Sequence, residues 1–276
     1  MRVALIYATW PVTPFGVTWH KFADSLHAAG LGNALTSAGY RVEEYVLTAT
    51  GPQAGEFRGA FELGGAIAAR CREAVAAGAL PVVICGSCTV ASLGVVSGLN
   101  GARTGIIWMD AHPDLNTPET SGSGLLDGMA LAAVLGKCWT HMAQDIAGLR
   151  PAAAEDVCLF GARDIDPGEA LFIADHGIPI ILDARDAINR LAACDRLYLH
   201  LDMDVHDPIR LRVSGFAVPG GPTPEAVRDT LRQAARARPV AALSVTSLDP
   251  AAPDGARAIA CAIEHIQAVC DSQRAA

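Results

Sequence analysis

Residues 105–116 read GIIWMDAHPDLN, and the change of character at their middle decides the fold. Gly105 through Met109 form an apolar run of strand length, the pattern of a strand buried on both faces. Immediately after it, Asp110, His112 and Asp114 occupy alternate positions, so an extended backbone would point all three the same way. A second apolar run, 196–201 (RLYLHL), ends likewise in Asp202 and Asp204. Carboxylates at the mouth of an apolar strand are costly unless something cationic neutralises them. Asp and His together suit Mn²⁺ or a similar divalent ion. Either motif alone also reads as a turn or helix cap. Two of them, each ending a strand, favour a metal centre.

Working outward, further apolar runs of strand length lie at 2–9, 80–85, 157–161, 179–182 and 240–245, and 41–47 alternates, with Val42, Tyr45 and Val46 as strand material. Helical spacing occupies 19–39, 59–77, 89–98, 129–135 and 254–272, with a Gly-containing loop at 51–58 and an aperiodic stretch at 110–128. Alternating strands and helices predict α/β architecture, a three-layer αβα sandwich with a mostly parallel sheet, forming a single domain over 1–276. In such sheets ligands bind beyond the carboxyl ends of the strands. The unusual polar residues fall there: Cys88 after 80–85, Asp110 after 105–109, Asp202 at the end of 196–201, and Ser247 to Asp249 after 240–245.

The bulk composition limits the partners. With 21 Lys and Arg against 29 Asp and Glu, the net charge of −8 speaks against nucleic acid and anionic membrane surfaces but says little about substrate; the expectation of a small-molecule substrate rests on the motifs. No apolar stretch approaches the length of a membrane span, and the first apolar run stops at Trp10 and Pro11, short of a signal peptide. The eight cysteines sit mostly within apolar patterns, which suits buried thiols in a reducing, cytoplasmic setting.

DAHPDLNTPET followed by SGSGLLDGM (110–129) resembles the second metal signature of the arginase (ureohydrolase) superfamily, and LHLDMDVHDP (199–208) resembles the third. VSGFAVPGG (213–221) is similar to the segment after that signature, and RDIDPGE (163–169) to the family's substrate-side loop. CGSCTVASLG (85–94) falls where the first signature belongs. The resemblance implies an arginase-like fold, usually trimeric or hexameric, in which two Mn²⁺ ions share a bridging hydroxide. It further implies that Asp110 and Asp202 bridge the ions, His112 and Asp204 complete one site, and Asp114 serves the other and accepts the water's proton. By the same resemblance Asn116 and Ser123 line the substrate pocket, and Asp166 and Glu169 stand near a substrate amino group.

Three departures bear on activity. Cys88 stands where the family has a histidine ligand, so the metal site on its side is expected to be weak or empty unless a thiolate binds. Asp127 stands where a proton-shuttling histidine belongs; it reads equally as a catalytic acid–base group or as the N-cap of the helix beginning GMALAAVLG. Ser247 replaces a glutamate of the guanidinium wall, and Leu125 an asparagine on the carboxylate side. In GSCTVASLG and NTPET the chain is similar to the N-omega-hydroxy-L-arginine amidinohydrolase branch. The expected function is metal-dependent hydrolysis of a C–N bond in a guanidino, hydroxyguanidino or related amidino compound. The alternatives are a catalytically inactive binding or assembly protein of the same fold, and a redox pair at Cys85 and Cys88.

Overall fold

The computed structural model describes residues 1–10, 18–49, 56–99 and 102–275. Among these, eight strands form one sheet: β1 (Arg2–Thr9), β2 (Arg41–Thr48), β3 (Ala79–Cys85), β4 (Thr104–Met109), β5 (Val157–Phe160), β6 (Ile180–Ile181), β7 (Arg196–Asp202) and β8 (Val240–Thr246). Their order is β2-β1-β3-β8-β7-β4-β5-β6, and every pairing is parallel.

A parallel sheet has to be covered on both faces. One face carries α1 (Phe22–Ala28), α2 (Leu31–Ser37), α8 (Ala184–Arg190), α9 (Pro224–Ala237) and α10 (Gly255–Ala275), whose Phe22, Leu35, Ala187, Leu231 and Ile266 join a single buried cluster. The other carries α3 (Glu56–Ala76), α4 (Cys88–Gly98), α5 (Ala130–Val134) and α7 (Pro167–His176), packed through Ile67, Val95, Leu131 and the half-buried Phe172. A short α6 (Thr140–Asp145) lies beside α3. The three-layer αβα sandwich expected from sequence is therefore present.

The details differ in instructive places. The helical stretch expected over 19–39 is split into α1 and α2 at Gly30, whose φ of 81° suits a residue without Cβ. α6 to α9 were not expected. Yet α9 carries the regular signs: Thr223 accepts the Ala226 N–H, Pro224 opens the first turn, and Val227, Thr230, Leu231, Ala234 and Ala235 form one buried stripe. The strand expected at 179–182 shrinks to two residues at the sheet edge, where Leu182 is exposed. In the expected loop at 51–58, residues 51–55 lie outside the described residues, and α3 already begins at Glu56. Among the described residues, no helix is long and apolar enough to cross a membrane.

The order brings β3, β8, β7 and β4 side by side at the centre of the sheet. Their carboxyl ends carry Cys88, Ser247, Asp202 and Asp110 respectively.

Candidate metal centre

The Asp110 N–H donates to the Phe160 carbonyl (3.0 Å), carrying the β4–β5 ladder one residue past the strand. The chain then turns. The Asp110 carboxylate accepts the His112 N–H (2.7 Å), and Asp114 adopts φ 54°, in the left-handed region that Asp tolerates better than most residues. The three side chains thus converge through a turn rather than through the strand alternation expected from sequence. β7 ends similarly: Asp202 accepts the Asp204 N–H (2.8 Å), closing a 3₁₀ turn over 203–205.

These turns meet. His112 Nδ1 lies 3.3 Å from Asp204 Oδ2 and 3.4 Å from Asp110 Oδ1, while Asp204 accepts the Ala111 N–H (3.3 Å). The ligand-capable atoms of Asp110, His112 and Asp204 all fall within 4.8 Å of one another. Across the cluster, the buried Cys88 thiol donates to Asp202 Oδ2 (2.9 Å) and lies 3.1 Å from Ser247 Oγ and 3.2 Å from Thr246 Oγ1. Asp114 Oδ2 is buried with no hydrogen-bond partner among the described residues. All six candidate ligands, Cys88, Asp110, His112, Asp114, Asp202 and Asp204, line one cavity of about 200 Å³.

The electrostatics divide the cluster. Burial raises the pKa of Asp110 to about 7, with the charge of Asp204 adding to the shift. Burial first, and then neighbouring carboxylates, push Asp114 and Asp202 well above the usual carboxylate range, and the Cys88 thiol well above its own. Burial opposes protonation of His112, but Asp204 and Asp110 outweigh it and hold the imidazole well above its ordinary pKa. Burial alone would raise Asp204, yet its contacts with His112 bring it below the ordinary value. Four buried carboxylates facing one imidazole lack positive charge, and the partnerless Asp114 oxygen is a donor atom aimed at such a charge. The residues therefore fit a divalent cation.

The residues expected on the substrate side line the same cavity. Asn116 Nδ2 donates to Asp166 Oδ2 (2.9 Å) at the start of α7. Glu169 has both oxygens engaged by backbone, Oε1 with the Leu115 N–H and Oε2 with the Asp166 N–H (2.9 Å each), so it also pins the DAHPDLN turn to α7. Ser123 is exposed at the rim, beside the half-buried Leu125. Asp127 is not the N-cap of the helix that follows it. Its carboxylate instead accepts the Ser87 hydroxyl and the Thr89 N–H (3.1 Å) at the start of α4, the helix that carries Cys88. Cys85 and Cys88 are free buried thiols engaged elsewhere, Cys85 with the Ser87 N–H.

A profile of the arginase family matches residues 24–270. The chain belongs to the arginase family. An arginase of Bacillus caldovelox is 36% identical over 174 residues, a match covering 57% of either chain, so the similar region spans little more than half of that relative. Over nearly the whole chain, the solved arginase structure of the same organism superposes with a TM-score of 0.87 at 27% identity, covering 97% of each chain. Bacillus cereus arginase gives 0.89 at 23% identity, again over 97% of each, a likeness of fold.

Several residues at the site went unassigned in the sequence. Arg163, in the RDIDPGE segment, places its guanidinium among the carbonyls of Gly161, Asp204, Val205, His206 and Val218, at 2.6–3.3 Å, and so locks the loops after β5 and β7 together. Asp164 Oδ2 approaches His112 Nε2 (3.6 Å) from the mouth of the cavity. Trp19 and Phe216, 5.1 Å apart, form an aromatic wall there. Arginine next to a recognised loop is the single signal available to sequence; the aromatic pair is made by residues far apart in the chain.

Proposed function

We propose that the chain is a hydrolase of a C–N bond in a guanidino, hydroxyguanidino or related amidino compound, and that it works with divalent ions, manganese by the chemistry of the family. The observation that carries this reading is the convergence of both Asp clusters on one cavity, with a buried Asp114 oxygen left without a partner. Asp110, Asp202, His112, Asp204 and Asp114 are the residues that would hold the ions. When bound, the ions supply Lewis acidity that offsets the carboxylate charge and lowers the pKa of an attacking water. Asp114, crowded by Asp110 and Asp202, would take a proton from a water in the cavity and hold it for the leaving nitrogen. Asp127, held by Ser87 and Thr89, orients the helix start that carries Cys88. Trp19 and Phe216 limit access of bulk water.

The substrate differs from plain arginine. The Ser247 hydroxyl lies 3.1 Å from the Cys88 sulfur and offers no charge to a guanidinium, and Leu125 offers no polar group to an α-carboxylate. A lost hydrogen bond to a charged group is worth about 1.5–3 kcal/mol, which is on the order of ten- to a hundredfold in kcat/KM for each. The test uses the full chain loaded with Mn²⁺ and compares L-arginine, agmatine, N-omega-hydroxy-L-arginine and guanidino acids, reading urea, hydroxyurea and ammonia. L-arginine should rank low. Efficient turnover of L-arginine would overturn the substrate reading, and no turnover of any compound by a metal-loaded chain would favour a binding protein.

A further inference from the structure

The side of the cluster holding Cys88 contains a nitrogen donor that the signatures do not account for. β7 places His200 between Trp108 of β4 and Ser244 of β8, its register partners on either side. The ring stacks on Trp108, with centroids 3.6 Å apart and planes 13° from parallel. Nδ1 lies 2.8 Å from Ser244 Oγ and 3.2 Å from Tyr198 Oη. The residue is fully buried, and Nε2 finds no hydrogen-bond partner among the described residues. A ring nitrogen of His200, the Cys88 thiol and a carboxylate oxygen of Asp110 lie within 4.8 Å of one another.

We infer that His200, through Nε2, is the imidazole ligand of a divalent cation on the Cys88 side of the centre. This inference rests on the metal-dependent reading proposed above. Leaving a buried polar atom unpaired is costly, and a strand histidine with no other role would have both nitrogens engaged. With Nδ1 occupied by the Ser244 and Tyr198 hydroxyls, Nε2 is the nitrogen left to bind. A ligating histidine ordinarily donates its other N–H to a neighbouring acceptor, which fixes its tautomer and its aim; Ser244 Oγ is such an acceptor. The Trp108 stack prevents the ring from swinging away.

Charge decides between His200 and Cys88 as the ligand. The carboxylates of Asp110, Asp114, Asp202 and Asp204 together balance two divalent ions. A Cys88 thiolate would leave the buried cluster negative, whereas a neutral imidazole leaves it balanced. Nitrogen and oxygen donors also suit Mn²⁺ better than thiolate does. The Cys88 thiol donates to Asp202 (2.9 Å) and so holds that carboxylate in place.

The experiment loads the full-length chain with Co²⁺, whose paramagnetism shifts the exchangeable N–H protons of coordinated imidazoles far out of the ordinary NMR range. Two such resonances are expected, from His112 and His200, with no thiolate-to-cobalt absorption band. His200→Asn should remove one resonance and weaken Mn²⁺ binding at one site by roughly ten- to a hundredfold, at least the loss seen when even an outer-shell partner of a metal ligand is removed. A wild-type chain that binds metal with a single shifted resonance overturns the inference, whether or not the variant folds. So does a folded His200→Asn protein that keeps both resonances, or a strong thiolate band in the wild type. Each of those outcomes leaves the metal-dependent reading standing, whereas a chain that takes up neither Co²⁺ nor Mn²⁺ sinks both.

Discussion

The two halves of the candidate centre are made from the same kind of residue and behave oppositely. In one half, Asp204 sits against His112, and the pair forms an internal compensation: the imidazole is pushed up, the carboxylate down. In the other, Asp202 and Asp114 make no ion pair with an imidazole, and burial with the neighbouring carboxylates drives both well upward, against only a partial offset at Asp114 from His112. Asp202 and Asp204 are two residues apart on one turn. Their opposite shifts teach that the motif does not set the electrostatics; the identity of one facing residue does. The His112 half can persist without an ion, whereas the Cys88 half is costly until one arrives.

The largest test of that contrast is Asp202→Asn. Removing the shared carboxylate should lower Mn²⁺ affinity by roughly a hundredfold or more, beyond the loss expected for an outer-shell partner alone. The metal-free variant should nonetheless be more stable than the metal-free parent by about 1–3 kcal/mol, because a buried, uncompensated carboxylate has been neutralised. Metal content after dialysis checks the first statement, and chemical unfolding in chelator the second. A metal-free variant less stable than its parent would show that the Cys88 half is already compensated.

Next in size is a matched pair. His112→Ala deletes the nitrogen donor and leaves Asp204 unpaired, so Mn²⁺ affinity should fall by at least about tenfold and the metal-free chain should also lose stability. Cys88→Ser exchanges one neutral donor to Asp202 for another, so affinity should change by about twofold, roughly 0.5 kcal/mol. Equal losses from the two substitutions, measured by calorimetric titration, would erase the distinction between the halves.

Much of this contrast was hidden in the sequence for definable reasons. The strands could be read because β3, β4, β7 and β8 are buried along almost their whole length and so appear as unbroken apolar runs. α9 was passed over because its buried stripe includes Thr and Ala among arginines, leaving a weak apolar signal despite a regular cap. Both Asp motifs were legible, since each signature is local. That Cys88 would share a pocket with Asp202 followed from the resemblance, but its hydrogen bonds were not legible: Asp202 is 114 residues away and Ser247 is 159 residues away, and the carboxyl ends of three strands must be aligned before they meet. Of the two readings of Asp127, the cap failed for the same reason. An Asp before a helix suggests a cap on that helix, but the backbone N–H that Asp127 accepts is that of Thr89, in the first turn of α4.

The smallest effect expected is at Ser247, and it tests whether the halves can be perturbed separately. Ser247 holds φ 59°, a left-handed conformation that costs a residue with a Cβ roughly 1–2 kcal/mol. Ser247→Gly relieves that cost but removes the hydroxyl beside Cys88, a contact worth about 0.5–1.5 kcal/mol. The two nearly cancel, so the unfolding free energy should stay within about 1 kcal/mol of the parent's. Metal binding should not be equally indifferent. The Ser247 hydroxyl also hydrogen-bonds Asp202 and favours its charged form, so its loss weakens the Cys88 half, while Asp204 meets Asp202 through its backbone N–H and turns its carboxylate to His112. A Mn²⁺ titration should therefore show one event weakened a few-fold, by less than about 1.4 kcal/mol, with the other unmoved. If both events shift together, Asp202 transmits the change across the centre, and the division into a compensated half and a dependent half has to be given up.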